Sequence, residues 1–160
     1  MKENNIMNYV VEKLKNKNKT ISTMESCTGG GVCNLITDIP GASQVLKFSA
    51  VTYSNEYKIK MGVNSDIIDI YSVYSLETAR EMGKNISLFS NSDYGIGVTG
   101  KLNREDINNK YGLDNKVYIC IYDRENNKYY DYDFIVNSGN RIDNKMKVIL
   151  FIRDRLLEIL

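Results

Sequence analysis

Residues 25–31 have the sequence ESCTGGG and join two segments of different hydrophobic periodicity. Residues 20–24 follow the break in the first helical pattern at residues 16–19 and are predicted to form a short strand, and Val32, Leu35 and Ile36 have the spacing of a helix face. Successive glycines between a strand and a helix let the backbone turn tightly and approach a ligand closely. The stretch therefore predicts an α/β unit with a turn suited to ligand binding.

The rest of the chain continues this alternation. The predicted helices are residues 6–14, 32–36, 54–61 and 142–160 and a helix capped by Ser75, and the predicted strands are residues 20–24, 48–53, 94–98, 116–122 and 129–136. The last two strands alternate apolar and polar residues around Glu125-Asn126-Asn127, which indicates an antiparallel hairpin. We therefore predict one layered α/β domain with a mixed sheet.

The composition excludes several classes of protein. The chain has 160 residues, a usual size for one domain, and its 21 Lys and Arg against 20 Asp and Glu give a formal net charge of +1. We therefore expect no binding to nucleic acid or to an anionic membrane. Because the first twenty residues mix charged with apolar positions, we expect neither a signal peptide nor a membrane span, and a cytoplasmic location.

Histidine is absent, and Cys27, Cys33 and Cys120 form no CxxC pair. We therefore expect neither a disulfide framework nor a zinc site. Proton transfer has to use lysine, tyrosine or a carboxylate, which excludes Ser-His-Asp and Cys-His mechanisms. We interpret the cysteines as small core residues, but Cys27 is adjacent to Ser26 and has to be tested as a rival nucleophile.

Two segments carry candidate catalytic residues. Ser26 begins the glycine turn, and Lys58 lies about one helical turn beyond Tyr53 in the segment TYSNEYK. If the second segment folds over the first, Lys58 can take the proton of Ser26, provided that burial or a nearby cation lowers the lysine pKa. Two simpler interpretations stay open at this point, a glycine turn that only joins two elements and a solvated surface lysine.

Two further segments offer candidate ligand contacts. Residues 95–100, GIGVTG, fit the pattern GxGxxG, but their alternation indicates a strand rather than a dinucleotide-binding turn. At the end of this strand Thr99 and Gly100 would offer a hydroxyl and an N–H group. In residues 138–141, SGNR, Arg141 begins the last helix and is suited to grip a phosphate, with a solvated capping arginine as the alternative.

The chain resembles the CinA C-terminal domain family from its opening helix to its C-terminus. The motifs that carry the resemblance are ESCTGG, DIPGAS, VTYSNE, KIKMGV and SGNR, in that order. The family's characterised members are nicotinamide mononucleotide amidohydrolases. The resemblance implies a three-layer α/β/α sandwich and metal-independent hydrolysis of the carboxamide of nicotinamide mononucleotide to nicotinate mononucleotide and ammonia. It also implies no cofactor, self-association into a homo-oligomer, and one stand-alone domain over residues 1–160 without the N-terminal domain of larger members.

The resemblance also implies roles for individual residues. Ser26 matches the nucleophile, and Tyr53 and Lys58 match the pair that handles protons. We expect N–H groups of residues 28–31 to stabilise the oxyanion and Arg141 to hold the substrate phosphate. The residues expected to contact the substrate are Thr28, Gly29, Gly30, Thr99, Gly100 and Arg141.

One segment departs from the family pattern. After VTG the deamidases usually continue with IAGP and a glycine-rich loop, whereas residues 101–109 here have the sequence KLNREDINN. We expect this charged loop to border the pocket, which puts the identity of the substrate in question. Two alternatives stay open, an amidohydrolase for a different amide and a non-catalytic module that binds nucleotides or serves competence. The biological role is correspondingly pyridine nucleotide salvage or a function linked to DNA uptake.

Overall fold

The structure is a computed structural model that describes residues 5–137 and 139–160. Its strands are β1 (Ile21–Glu25), β2 (Leu46–Val51), β3 (Tyr94–Gly100), β4 (Lys116–Asp123) and β5 (Lys128–Ile135). Its helices are α1 (Asn8–Asn16), α2 (Gly31–Thr37), α3 (Asn55–Lys60), α4 (Ser65–Tyr71), α5 (Leu76–Ser90) and α6 (Arg141–Ile159), with a single 3-10 turn at Ala42–Gln44. None of these helices is long and apolar enough to cross a membrane. Ser138, the first residue of the SGNR motif, and residues 1–4 lie outside the described part of the chain.

The sheet is mixed, as predicted, with the strand order β2-β1-β3-β4-β5. Strand β1 pairs in parallel with both β2 and β3, whereas β4 is antiparallel to β3 and β5. The predicted hairpin is present, with Lys116 opposite Ile135 and Asp123 opposite Lys128. The carboxyl ends of the three parallel strands therefore lie along one edge, which is where ligands usually bind in α/β sheets.

Helices cover both faces of the sheet and complete three layers. On one face α1, α2 and α6 bury the larger core cluster, which includes Val11, Ile36 and Ile152. On the other face α5 packs Met82 against Met24 of β1 in a second cluster. The predicted α/β/α sandwich is thereby confirmed.

Glycines in β3 allow α5 to lie unusually close to the sheet. A Cβ atom on Gly95 would overlap the carbonyl oxygen of Gly83, and one on Gly97 would overlap the carbonyl oxygen of Ala79. The GxGxxG pattern is thus a strand whose missing side chains accommodate a helix. The sequence interpretation of this segment as a strand is correct, and the helix accounts for its glycines.

Two elements differ from the sequence prediction. Helix α4 was not predicted, because none of its residues is buried and one partly buried residue, Ile68, packs against a core cluster, which leaves no apolar stripe in the sequence. The closing helix is present, but Ile142 in its first turn is 76 % exposed. The buried positions of α6 are Asn144, Val148, Ile149, Ile152 and Leu156.

Candidate active site

Ser26 follows β1 directly, at the carboxyl edge of the sheet. Its N–H group donates to the carbonyl oxygen of Val98 in β3 at 3.0 Å. On the other side the N–H group of Thr52, just after β2, donates to the carbonyl oxygen of Glu25 at 2.8 Å. Because both neighbouring strands are bonded to this segment, the sheet fixes the position of Ser26 and brings the chain that follows β2 beside it.

Lys58 reaches Ser26 from α3, which begins soon after β2. Ser54 caps this helix by accepting a hydrogen bond from the N–H group of Tyr57 at 3.2 Å. The Nζ atom of Lys58 lies 3.1 Å from Oγ of Ser26 and 2.8 Å from the carbonyl oxygen of Thr52. The lysine is only 2 % exposed, so the interpretation of Lys58 as a solvated surface residue is wrong.

Burial lowers the pKa of Lys58 from 10.5 to about 8, because the ammonium group loses its solvation. The negative charges that Cys27 and Asp106 can carry act in the opposite direction and keep the pKa from falling further. At this pKa about a tenth of the lysine is neutral at pH 7. A neutral amine within hydrogen-bond distance of a serine hydroxyl can accept its proton, so the pair has the arrangement of a nucleophile and its base.

Glu25, which the sequence interpretation did not single out, holds the turn that follows Ser26. Its carboxylate is completely buried. The Oε1 atom accepts from the hydroxyl of Thr28 at 2.7 Å and from the N–H group of Val32 at 3.0 Å. The Oε2 atom accepts from the N–H group of Cys33 and the hydroxyl of Thr23, both at 3.0 Å. The feature of the sequence that could have indicated this role is the position of Glu25, an acidic residue just before a glycine turn that begins a helix.

The glycines of the turn leave room for side chains of α6. A Cβ atom on Gly31 would lie 2.7 Å from Cδ1 of Ile149, and one on Gly29 would lie 3.3 Å from Nζ of Lys145. Gly30 has a φ of 88°, in the left-handed region that favours glycine. The turn is therefore shaped in part by helix packing, which adds a structural reason for the glycines to the ligand-binding one.

Tyr53 and Arg141 form a second pair at the mouth of the site. The guanidinium of Arg141, the first residue of α6, donates to the hydroxyl of Tyr53 at 3.0 Å. Tyr53 is 65 % exposed. In the described part of the chain its hydroxyl bonds to Arg141 and not to Ser26 or Lys58. Any proton relay through Tyr53 therefore requires the substrate or a rearrangement of the side chain.

Four of the predicted substrate contacts do not line the cavity beside Ser26, whereas Gly100 and Arg141 do. Thr28 is fully buried and its hydroxyl bonds to Glu25, and Gly29 and Gly30 lie in the turn outside the cavity wall. Thr99 was expected to offer its hydroxyl to the site. This expectation requires correction, because the fully buried hydroxyl donates to the carbonyl oxygen of Val73 at 2.9 Å.

The cavity has a volume of about 720 Å³, which suits a ligand of nucleotide size. Ser26, Tyr53 and Lys58 all line it. Most of residues 101–109 line it as well, as expected from the sequence. The side chain of Asn55, three residues before Lys58, donates to Asn109 of this loop at 3.2 Å and so ties the loop to α3.

Charged residues of the loop form a network in the cavity wall. Lys101 is 3 % exposed, pairs with Asp114 at 3.1 Å and lies 5.1 Å from the centre of the Tyr74 ring. The hydroxyl of Tyr74 donates to the carboxylate of Asp106. Burial by itself would raise the pKa of Asp106, but hydrogen bonds from Tyr74 and the Asn108–Asn109 segment outweigh it and lower that pKa. The cavity therefore contains a fixed carboxylate and a buried ammonium besides Lys58.

Cys27 lines the cavity next to Ser26, but its thiol is not activated. Burial raises the pKa of Cys27 to about 12, although Lys58 lowers it. A thiol with this pKa is almost entirely protonated near neutrality and is a weak nucleophile. Cys27 and Cys120 are buried, in agreement with the sequence interpretation, whereas Cys33 is only partly buried. The described residues contain no group of three acidic or cysteine side chains arranged to hold a metal ion.

Together the fold and this geometry define an α/β/α domain with a buried serine–lysine pair at the carboxyl edge of its sheet. The chain belongs to the CinA family, because the CinA C-terminal domain matches residues 3–160. A CinA-like protein of Endomicrobium trichonymphae is 40 % identical over 139 residues, and one of Thermosipho melanesiensis is 38 % identical over 140. These matches cover 85 % and 87 % of the chain but only 31 % and 34 % of the two relatives.

Solved structures share the fold. The competence/damage inducible protein of Agrobacterium tumefaciens superposes with a TM-score of 0.85 at 22 % identity, covering 96 % of this chain and 92 % of that one. A competence or damage-inducible protein of Enterobacter asburiae superposes with a TM-score of 0.88 at 21 % identity, covering 96 % and 95 %. At these identities the likeness supports the architecture and not a particular activity.

Proposed function

We propose that this domain hydrolyses the carboxamide of nicotinamide mononucleotide to nicotinate mononucleotide and ammonia. The observation that carries the proposal is the buried Lys58, whose Nζ lies 3.1 Å from Oγ of Ser26 and whose pKa burial lowers to about 8. This arrangement supplies an activated nucleophile without histidine or metal. Family membership and a cavity of nucleotide size support the same conclusion.

The reaction proceeds through an acyl-enzyme. Neutral Lys58 takes the hydroxyl proton of Ser26 while Oγ bonds to the carboxamide carbon. The tetrahedral intermediate collapses by breaking the carbon–nitrogen bond, and the leaving nitrogen departs as ammonia after it receives the proton of Lys58, either directly or relayed through Tyr53, so that Lys58 is neutral again. Water then attacks the ester, loses its proton to Lys58, and releases the carboxylate product and Ser26. The Thr52 carbonyl keeps Nζ in place throughout by accepting its second hydrogen bond.

The oxyanion of the tetrahedral intermediate needs backbone donors near Ser26. In the turn, the N–H groups of Gly29 and Gly31 already donate to the carbonyl oxygens of Ser26 and Thr28, at 2.9 and 3.0 Å. Within the described residues, the N–H groups of Thr28 and Gly30 have no acceptor in the protein. Of the donors predicted from residues 28–31, these two are the ones available to a ligand that reaches the turn.

The proposal is tested by ammonia release from nicotinamide mononucleotide. We expect Ser26→Ala to lower kcat by about 10³-fold or more, because the covalent route is lost. Cys27→Ala, one residue away in the same cavity, is the matched control and is expected to retain most of the rate. Full activity of Ser26→Ala with loss in Cys27→Ala would reverse the assignment, and loss of activity with a chelator would indicate a metal enzyme.

A second candidate is hydrolysis of a different amide, which the network of Lys101, Tyr74 and Asp106 in the cavity wall favours. Fixed charges at these positions discriminate between ligands that differ in charge or in hydrogen-bonding groups. A panel of nucleotide amides distinguishes the two candidates by their kcat/KM values. Binding of such ligands without turnover of any of them would instead support a non-catalytic module.

A further inference from the structure

Asp106 is a carboxylate held at a fixed place in the wall of the cavity beside Ser26. Its Oδ2 atom accepts from the hydroxyl of Tyr74 and from the side-chain amide of Asn109, the latter at 3.2 Å. Its Oδ1 atom accepts from the N–H group of Asn108 at 2.9 Å. These donors are neutral, and no lysine or arginine within the described residues forms an ion pair with Asp106. The carboxylate is therefore fixed in position while its charge is left uncancelled.

The charge of Asp106 acts at the serine–lysine pair. Asp106 lies close enough to Lys58 to raise the pKa of that lysine. Because Nζ of Lys58 lies 3.1 Å from Oγ of Ser26, a carboxamide that reaches Ser26 brings the ring that carries it close to Lys58. With a pKa of about 8, most of Lys58 is protonated at pH 7 and repels a positively charged ring. The carboxylate of Asp106 offsets this repulsion.

The other charged side chains of the cavity do not supply the same offset. The charged residues that line it are Lys58, Lys101, Arg104, Glu105, Asp106 and Arg141. Glu105 is exposed, so water screens its charge. The remaining members of the set are cations, and they repel a cationic ring as Lys58 does. Asp106 is therefore the group through which this cavity can accept a positive charge.

An aromatic ring in the same cavity adds to this attraction. The face of a tyrosine ring attracts cations. Lys101 already lies over the Tyr74 ring, 5.1 Å from its centre. The ring of Tyr53 lines the cavity and is 65 % exposed, so it is accessible to a ligand.

We propose that Asp106 selects amide substrates whose ring carries a positive charge, as the pyridinium ring of nicotinamide mononucleotide does. This inference rests on the proposed function and names a specificity-determining residue in the loop where the chain departs from the family pattern. A fixed carboxylate favours a cationic ring over a neutral ring of the same shape. Because its hydrogen bonds hold it in place before the ligand arrives, little ordering is required on binding.

The test compares nicotinamide mononucleotide with benzamide riboside monophosphate, in which a neutral benzene ring replaces the pyridinium ring. The quantity measured is the ratio of the two kcat/KM values for ammonia release. We expect Asp106→Asn to lower this ratio about fivefold to tenfold, against the cationic compound. The intrinsic reactivities of the two amides cancel when variants are compared. A changed pKa of Lys58 also cancels, because kcat/KM reports the ionisation of the free enzyme for both compounds.

Two further variants separate the charge from the structure of the loop. Asp69→Asn removes an exposed carboxylate of α4 that does not line this cavity, and is expected to keep the ratio of the unaltered protein. Asp106→Glu retains the charge and is expected to keep most of the ratio, and thermal unfolding of each variant verifies the fold. An unchanged ratio in Asp106→Asn, or an equal loss on both compounds, would overturn the proposal. A ratio lowered as much by Asp106→Glu as by Asp106→Asn would overturn it too, because the charge would not be the cause.

Calorimetric titration of the same two compounds tests the inference if the unaltered protein hydrolyses neither, in which case the proposed function fails. The proposal is supported if Asp106→Asn shifts the ratio of the two dissociation constants in favour of the neutral compound while Asp69→Asn leaves it in place. A ratio that Asp106→Asn does not change, or binding of neither compound, would reject it.

Discussion

At the scale of the residue, the burial of Lys58 has a cost in stability that the proposed function would explain. An ammonium that is 2 % exposed lacks most of its hydration, and its partners are neutral, the Ser26 hydroxyl and the Thr52 carbonyl. The same burial that lowers the pKa to about 8 makes the protonated form costly in the folded state. Natural enzymes commonly accept such a cost at positions that perform chemistry.

Replacing Lys58 with methionine is therefore expected to stabilise the protein near neutral pH. The pKa of Lys58 falls from 10.5 to about 8 on folding, which corresponds to a cost of about 3 kcal/mol. Because the folded pKa is the lower one, the cost is fully present below about pH 8 and fades as the pH rises towards 10.5. Loss of the hydrogen bond to Thr52 offsets part of the gain, so we expect Lys58→Met to add about 1–2 kcal/mol at pH 7.

Thermal unfolding measured from pH 7 to 10.5 checks this expectation. The melting temperature of Lys58→Met should exceed that of the unaltered protein by several degrees at pH 7, and the difference should shrink with increasing pH. Lys60→Met, which removes an exposed lysine from the same helix, is the control and should change little. A destabilised Lys58→Met at pH 7 would show that the buried ammonium is favourably solvated after all.

At the scale of the element, the turn between β1 and α2 is contacted on one side by Glu25 and on the other by α6. On the sheet side, the carboxylate of Glu25 accepts hydrogen bonds from Thr28 in the turn and from the N–H groups of Val32 and Cys33 at the start of α2. On the opposite side, side chains of α6 pack against the glycines of the turn. The strand, the helix and the turn could be predicted from apolar spacing and from three glycines in a row. The roles of Glu25 and of α6 at this turn could not be predicted, because they depend on burial and on contacts between residues distant in sequence.

Glu25→Gln tests the support from the sheet side. The amide group presents one acceptor oxygen and one NH₂ group where four donors converge, so at least one buried donor loses its partner. We expect a loss of about 1–3 kcal/mol in the free energy of unfolding, together with a lower kcat from the displaced turn. Glu56→Gln breaks only an exposed pair with Lys60 and serves as the control. An unchanged free energy of unfolding in Glu25→Gln would mean that the turn is stable without the hydrogen bonds to the Glu25 carboxylate.

The loop of residues 101–109 is a second element that affects the site, through the charge of Asp106. Asp106 raises the pKa of Lys58 through its charge. In Asp106→Asn the charge disappears while the amide oxygen can still accept from Tyr74, so the lysine pKa should fall further. We expect the rising limb of the pH–rate profile to move to lower pH, and Asp154→Asn, on the surface near the end of α6, to leave it in place. Movement to higher pH would contradict this electrostatic account.

At the scale of the whole molecule, the parallel part of the sheet assembles the site. Residues 26, 52–58 and 100–101 are far apart in sequence, but they follow three adjacent parallel strands and so meet at one edge. The sequence pattern left the contact between Ser26 and Lys58 conditional on how the second segment folds, and the resemblance to the family supplied the pairing. The orientation of Thr99 and the separation of Tyr53 from the pair were not predictable, because each depends on which side chain faces the cavity. Self-association stays a prediction, which light scattering of the purified protein measures.

The central claim is that Lys58, buried and mostly neutral above pH 8, is the base that activates Ser26. Its most direct test is the rate of ammonia release from nicotinamide mononucleotide as a function of pH, for the unaltered protein and for Lys58→Met. We predict a rate that rises with pH through an ionisation near 8 in the unaltered protein, and the loss of most of that rate in a folded Lys58→Met. Near-full activity of Lys58→Met with the same pH dependence would contradict the account and would place the base elsewhere.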